Sequence, residues 1–286
     1  MHKFGAHLSI NGGYATSLEK IKNIGGNCLQ IFSTSPRSWN KAVLNNKTIQ
    51  KFKELKKQLS IDPIFFHSSY LINLADNEKI GNLSKELLIA ELNHASQLNI
   101  QGSIIHLGSY KEKIPPLFDI SQNPKYDILI SNILEIINKT PQNVLFIIEN
   151  SGNKKIGQSL DEIAQIIKDI NNNRVRVCLD SCHLFSAGYD LRTPDKIEKF
   201  IKDFDHKIGL NKLAVWHLND SRDDFDSGHD RHENIGEGAI GKEEFQLILN
   251  HPKLKNLPFI IETPGFDNKG PDKKNLDILK KLVIDD

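Results

Sequence analysis

Cysteine is scarce in this 286-residue chain: Cys28, Cys178 and Cys182 are too few and too unevenly spaced for a disulfide framework, which points to a reducing compartment. Charge of one sign is not in excess either. Lys plus Arg number 37 against 36 Asp plus Glu, so the net charge of +1 exerts no global pull toward nucleic acid or membrane, and any preference for a polyanion must be local. The apolar run of ~18 residues that a membrane-spanning helix needs is missing, and MHKFGAHLSI has no apolar core ahead of a cleavage site. We therefore expect a cytoplasmic protein. No linker, low-complexity stretch or charge block divides the sequence, so residues 1–286 are expected to form one domain, with 38% hydrophobic residues to fill its core. Without a heptad pattern or an apolar surface stripe, the expected state is a monomer.

What is present is an alternation that does not stop. Short apolar runs occur at Phe4 to Leu8, Cys28 to Phe32, Ile64 to Phe66, Ser103 to Ile105, Val144 to Ile148, Val175 to Leu179, Leu213 to Trp216 and Phe259 to Ile261. Between them lie helical patterns such as Asn45 to Leu59, Ser84 to Leu98, Tyr126 to Asn138, Ser159 to Ile170 and Pro194 to Phe204. Ser84 and Ser159 are N-cap candidates, Glu162 completes a capping box with Ser159, and Pro194 suits the first helical position behind Thr193. Eight strand-helix repeats predict parallel strands joined by right-handed crossovers, an α/β protein closed as a (β/α)8 TIM barrel. The competing doubly wound sheet would lead with a dinucleotide fingerprint, and GAHLSINGG lacks the G-x-G-x-x-G spacing.

A barrel gathers its chemistry at the carboxyl ends of its strands. Those ends carry His7, Ser33 with Ser35, His67, His106, Glu149, Asp180 with His183, His217, and Glu262. Strand alternation puts His106 on the face of Ile104, Glu149 on that of Leu145 and Ile147, and His217 on that of Leu213 and Val215. Beyond His217, the loop LNDSRDDFDSGHDRHENIGEG places Asp230 and His232 two residues apart, on one face if extended. Each residue has a plain structural alternative: a loop acid for Glu149, a helix cap for Asp180, a packed ring for His183, a core histidine for His7, which we read instead as an outer partner of the ligands. Together, buried carboxylates and imidazoles carry desolvation and repulsion costs that a cation would remove. Cys178 and Cys182 read as small buried hydrophobes rather than ligands, and His94, His206, His229 and His251 as surface residues.

The motifs GAHLS, FHSSYLINL, IHLGS, IIEN, CLDSCHLFSAGYDLRTP, WHLNDS, DRHENIGEG and IIET, in that order and spanning nearly the whole chain, resemble endonuclease IV. That family comprises metal-dependent apurinic/apyrimidinic endonucleases of base excision repair within the xylose-isomerase-like barrels. The resemblance implies three zinc ions, with manganese admissible in some sites. His67, His106 and Glu149 would hold one; Glu149 would bridge to a second held by Asp180, His217 and Glu262; His183, Asp230 and His232 would hold the third. It implies cleavage of duplex DNA on the 5′ side of an abasic sugar, leaving a 3′-hydroxyl and a 5′-deoxyribose phosphate, with a metal-activated water rather than a side-chain base as nucleophile. Removal of 3′-blocking groups is an activity it leaves open. Arg37, Tyr70 and Leu71 match the DNA-wedging loops; without the resemblance Arg37 reads as a surface cation and Tyr70 as a core aromatic. Ser68 and Leu107 depart from the Asp or Ala and the Pro often found there, and neither change removes a ligand atom. A metal-dependent sugar isomerase or epimerase on the same barrel is the alternative, using Glu149, Asp180, His217 and Glu262 alone.

Overall fold

The computed structural model describes residues 2–111, 123–152 and 155–284. Its elements run β1 (Lys3–Leu8), α1 (Tyr14–Asn23), β2 (Cys28–Phe32), α2 (Asn46–Leu59), β3 (Ile64–His67), α3 (Lys79–Leu98), β4 (Gly102–Ile105), α4 (Pro124–Asn138), β5 (Leu145–Glu149), α5 (Leu160–Ile170), β6 (Val175–Asp180), α6 (Ser181–Ser186) and α7 (Pro194–Lys207). They continue through β7 (Leu213–His217), β8 (Asp220–Ser221), β9 (His232–Glu233), α8 (Lys242–Asn250), β10 (Pro258–Ile261) and α9 (Lys273–Leu282). Eight parallel strands close into a barrel in the order β1-β10-β7-β6-β5-β4-β3-β2, while β8 and β9 form a two-stranded antiparallel pair outside it. The TIM barrel expected from the alternation is what the chain forms.

Local chemistry explains most helix starts. Asn45, Ser159 and Thr193 accept hydrogen bonds from the backbone N–H of Thr48, Glu162 and Lys196, satisfying amides that no helical carbonyl can reach. Pro194 follows Thr193 at the first turn. The capping box at α5 is displaced by one residue: the Glu162 carboxylate accepts from the N–H of Gln158 rather than of Ser159. The N-cap expected at Ser84 is a correction, because α3 begins at Lys79. Asp76 performs the capping from upstream, accepting from the N–H of Glu78 and Gly81, and Ser84 sits one turn inside, donating to the Ile80 carbonyl.

Two apolar layers result. The larger packs the helices on the outward faces of the strands. The smaller fills the barrel interior with Cys28, Phe65, Ile104, Ile147, Cys178, Val215 and Ile260, one residue from each of seven strands. On the eighth strand that level is Gly5, where a Cβ would lie 2.4 Å from the Cys28 carbonyl oxygen. This plug is the floor on which the polar layer stands. Two residues further along each chain, on the same strand face, come His7, Gln30, His67, His106, Glu149, Asp180, His217 and Glu262.

Candidate metal centre

The period of two in β-structure brings these eight side chains to one level at the barrel mouth, above an apolar floor. Glu149 lies at the centre, fully buried, with Oε2 3.1 Å from His67 Nε2 and 3.2 Å from His106 Nε2. Its Oε1 is 3.0 Å from His217 Nδ1 and 3.5 Å from His183 Nδ1. His217 Nδ1 is also within 3.7 Å of Asp180 Oδ2 and 3.6 Å of Glu262 Oε2. Asp180 ends β6 and also caps α6, accepting from the His183 N–H, so a single side chain serves both the capping and the site reading. That six-residue helix turns His183 Nε2 toward Asp230, 3.0 Å away, and His232 Nε2 stands 3.4 Å from the same oxygen.

Potential ligand atoms thus fall into three groups, each with its atoms within 4.8 Å of one another: His67, His106 and Glu149; Glu149, Asp180, His217 and Glu262; His183, Asp230 and His232. Cys178 and Cys182 reach the edge of the cluster. Burial pushes the Cys178 thiol up to about 12 and that of Cys182 higher still, which keeps both protonated and poor as ligands.

Electrostatics give the cluster its chemical character. Burial opposes ionisation of Glu149, Asp180, Asp230 and Glu262, yet the surrounding imidazoles hold all four below their ordinary values. Burial likewise disfavours charge on His183 and His232, but Asp180 and Asp230 outweigh it, raising His232 to about 9 and His183 well above its ordinary value. At His106 burial wins and the ring falls to about 4. Four ionised acids gathered among five imidazoles demand positive charge, which protons or divalent cations can supply. Nitrogen and oxygen donors of this kind suit zinc or manganese, and the buried His232 Nε2 has no hydrogen-bond partner of its own, so the residues fit such ions.

The outer partners fix which atoms face inward. His67 Nδ1 donates to the Ser68 carbonyl at 2.8 Å and His183 Nδ1 to that of Asn150 at 3.0 Å, which turns each Nε2 to the cluster as the nitrogen that a neutral ring would offer to a cation. Asn219 donates to Asp180 Oδ2 at 2.7 Å and accepts from the Glu262 N–H at 2.7 Å. Asp220, one residue on, accepts from the N–H of Gly236, Gly238 and Ile240 and so ties down the loop that follows His232. His7 donates from Nδ1 to Glu262 Oε1 at 2.8 Å, which supplies the partner that its sequence context does not name.

Over the mouth, a cavity of about 380 Å³ is lined by His7, Phe32, His67, Tyr70, His106, His183, Asp230, His232, Glu262 and Pro271. Tyr70 stands 62% exposed at its edge, edge-on to Phe32 at 5.4 Å. Arg37 is exposed on the neighbouring loop, and the two loops are joined through Pro36, whose carbonyl accepts from Ser69 Oγ at 2.7 Å and the Tyr70 N–H at 3.1 Å. Leu71 follows, half-buried.

A model of xylose isomerase-like TIM barrels matches residues 18–282. The probable endonuclease 4 of Halothermothrix orenii is 36% identical over 288 residues, covering 98% of this chain and 99% of that protein. That of Thermosipho africanus is 36% identical over 293 residues, covering 99% and 100%. The chain belongs to the endonuclease IV family. The crystal structure of endonuclease IV from Thermus thermophilus superposes with a TM-score of 0.84 at 28% identity, covering 98% of each chain. A D-tagatose 3-epimerase-like protein, at 22% identity and TM-score 0.70, shares the fold. Endonuclease IV membership makes the protein an enzyme, as its motifs lead one to expect. No helix among the described residues is long and apolar enough to cross a membrane.

At and near the site, one residue was misread from sequence and another was overlooked. His251, expected at the surface, is buried just after α8, with Nε2 3.1 Å from Glu198 on α7. For β2 the sequence directs attention to Ser33 and Ser35 beyond the strand. The residue that this strand sends into the polar layer is Gln30, a polar side chain between Leu29 and Ile31, and the same two-residue step that locates Glu149 and His217 would have found it.

Proposed function

We propose that this protein is a metal-dependent apurinic/apyrimidinic endonuclease, cleaving duplex DNA on the 5′ side of an abasic sugar to leave a 3′-hydroxyl and a 5′-deoxyribose phosphate. The observation that carries the reading is the grouping of nine nitrogen- and oxygen-bearing side chains into three ligand sets, two of which share Glu149. His67, His106 and Glu149 would hold one ion, Glu149, Asp180, His217 and Glu262 a second, and His183, Asp230 and His232 a third. Zinc suits these donors, with manganese admissible in some sites. Bound there, the ions would supply positive charge against phosphodiester oxygens and the acidity that activates water.

The chain's own residues do the rest. Four carboxylates set against three divalent ions leave the filled mouth locally cationic, although the protein carries a net charge of +1. Tyr70 lines the cavity and Leu71 follows it, while Arg37 lies on the loop joined to theirs at Pro36; the three would fill a gap in a base stack. An abasic nucleotide has already lost pairing and stacking, so rotating it into the cavity costs least, which is a source of selectivity. His7 and Asn219 hold Glu262 in place, the first at its Oε1 and the second at its backbone N–H. The enzyme would act as a cytoplasmic monomer, in one domain.

A sugar epimerase on the same barrel would use Glu149, Asp180, His217 and Glu262 and leave the five remaining ligands without a task. Metal analysis and incision separate the two readings. Three zinc equivalents and a chelator-sensitive nick at a single abasic site in duplex DNA are expected. A single ion, or no metal-dependent nick at that site, would overturn the reading.

A further inference from the structure

Gln30 occupies the one place in the polar layer that carries no ionisable group. It rises from β2 at the level of Glu149 and His217, buried, and it is in contact with three residues of the site. Its Oε1 is 2.8 Å from His217 Nε2; its Nε2 is 2.5 Å from Glu262 Oε1 and 2.8 Å from His7 Nδ1. The amide can adopt one orientation. Turned over, it would set its oxygen against the Glu262 carboxylate, two acceptors in contact, and lose the hydrogen bond to Oε1.

That orientation determines two neighbours. An amide oxygen accepts only, so His217 must carry a proton on Nε2, and Nδ1, the nitrogen 3.0 Å from Glu149, is the one left to face the cluster, donating to a carboxylate there or, with the ring neutral, offering its lone pair to a cation. Gln30 Nε2 and His7 Nδ1 both point at Glu262 Oε1; were His7 Nδ1 an acceptor, it would oppose that oxygen at 2.8 Å, so both nitrogens donate. Two donors occupy Oε1 and leave Oε2, 3.6 Å from His217 Nδ1, for the cluster.

We propose that Gln30 is a positioning residue of the centre, selecting His217 Nδ1 and Glu262 Oε2 as the atoms presented to a divalent cation. The inference rests on the metal-dependent reading above. It explains why a polar side chain tolerates burial between Leu29 and Ile31: each of its polar atoms is paired, and each pairing sets a neighbour.

The test uses the full-length protein and two variants. Gln30→Met keeps length and volume but offers neither strong acceptor nor donor; Gln30→Glu keeps the acceptor for His217 and loses the donor to Glu262. Zinc retention is measured by competition with a chromogenic chelator, and the protonated nitrogen of His217 is read by ¹⁵N NMR in zinc-loaded and metal-free protein. The wild type is expected to show protonated Nε2 in both forms. Gln30→Met should release one zinc equivalent about 10- to 100-fold more readily and lose the single Nε2-protonated signature of the zinc-loaded form. Gln30→Glu should keep that signature while still losing zinc, which a general weakening of the core would not produce. Wild-type zinc retention and an unchanged His217 signal in Gln30→Met would overturn the proposal. If Gln30→Met does not fold, a Gln30→Glu protein with wild-type retention overturns it equally. Should the wild type itself bind no zinc, the functional reading fails, and the metal-free NMR comparison still decides whether Gln30 fixes the His217 ring.

Discussion

At the scale of the residue, Glu149 has the most to lose. Four imidazoles, those of His67, His106, His183 and His217, lie within 3.5 Å of its two oxygens, and it belongs to two of the three ligand groups. Glu149→Gln keeps the shape, removes the charge that those rings require, and puts an NH2 against ring nitrogens. We expect it to empty both groups and to lower incision by more than the ~100-fold that loss of an outer partner costs, checked by zinc content and single-turnover nicking. Tyr70 poses the opposite case. It is exposed and rests edge-on against Phe32, so Tyr70→Ala should move stability by no more than ~0.5 kcal/mol. Base–aromatic stacking is worth ~1–3 kcal/mol, so its affinity for abasic duplex should fall about 10- to 100-fold. Binding isotherms with abasic and intact duplexes would show this; unchanged affinity and incision would remove Tyr70 from the wedge.

At the scale of the element, the third ligand group depends on a loop rather than a strand, and Asp220 is its strut. Both carboxylate oxygens of this buried residue accept backbone N–H groups, from Ser221 and Ile240 on one side and Gly236 and Gly238 on the other. Glycine is required at 238, where a Cβ would meet the Ser221 carbonyl at 2.3 Å. Asp220→Ala would strand four amides at ~1–3 kcal/mol each where water cannot replace the carboxylate, and since those of Gly236 and Gly238 are only part-buried, a loss of about 3 kcal/mol is expected in urea unfolding. Zinc should be lost first from the His183, Asp230 and His232 group, because that loop follows His232. The strand residues of the site were legible from sequence because a period of two is a rigid rule: an apolar run ending in His or Glu declares both its face and its level. Asp220 was not, since nothing in WHLNDS separates an acid that holds a loop from one that faces solvent. Gln30 was legible in principle but lies inside a run, where the ends of strands draw the eye. Ser84 misled because a good cap residue sits equally well one turn into a helix when Asp76 caps from outside.

At the scale of the whole molecule, strand-helix alternation sufficed to predict the closed barrel, because parallel strands with right-handed crossovers leave few other solutions. It could not foretell which acids the helices bury outside the mouth. Glu91 on α3, Glu162 on α5 and Glu244 on α8 are three such residues, raised by burial to about 7, 7 and 8. Glu91 is held by the hydroxyls of Ser33 and Ser103; at Glu244 the charge of Asp190 adds to the effect of burial, while Arg192 opposes it. A carboxyl whose pKa is higher folded than unfolded favours the fold fully below the unfolded value of 4.5, where both states carry the proton. As pH rises the unfolded chain releases that proton first, so the advantage drains away until the folded group ionises near 8, and is level beyond it. Glu244→Gln cannot ionise and should lack this decline. With both proteins held in the same metal state, the stability of the wild type relative to the variant should fall by on the order of 3 kcal/mol between pH 4.5 and 8, at ~1.4 kcal/mol per pKa unit less relaxation around the buried charge. Urea midpoints at half-unit pH steps give the difference directly, and any constant offset from the amide cancels. Parallel profiles across that range would mean that Glu244 is ionised and compensated within the fold, and that the pH limit of this barrel is set at its mouth instead.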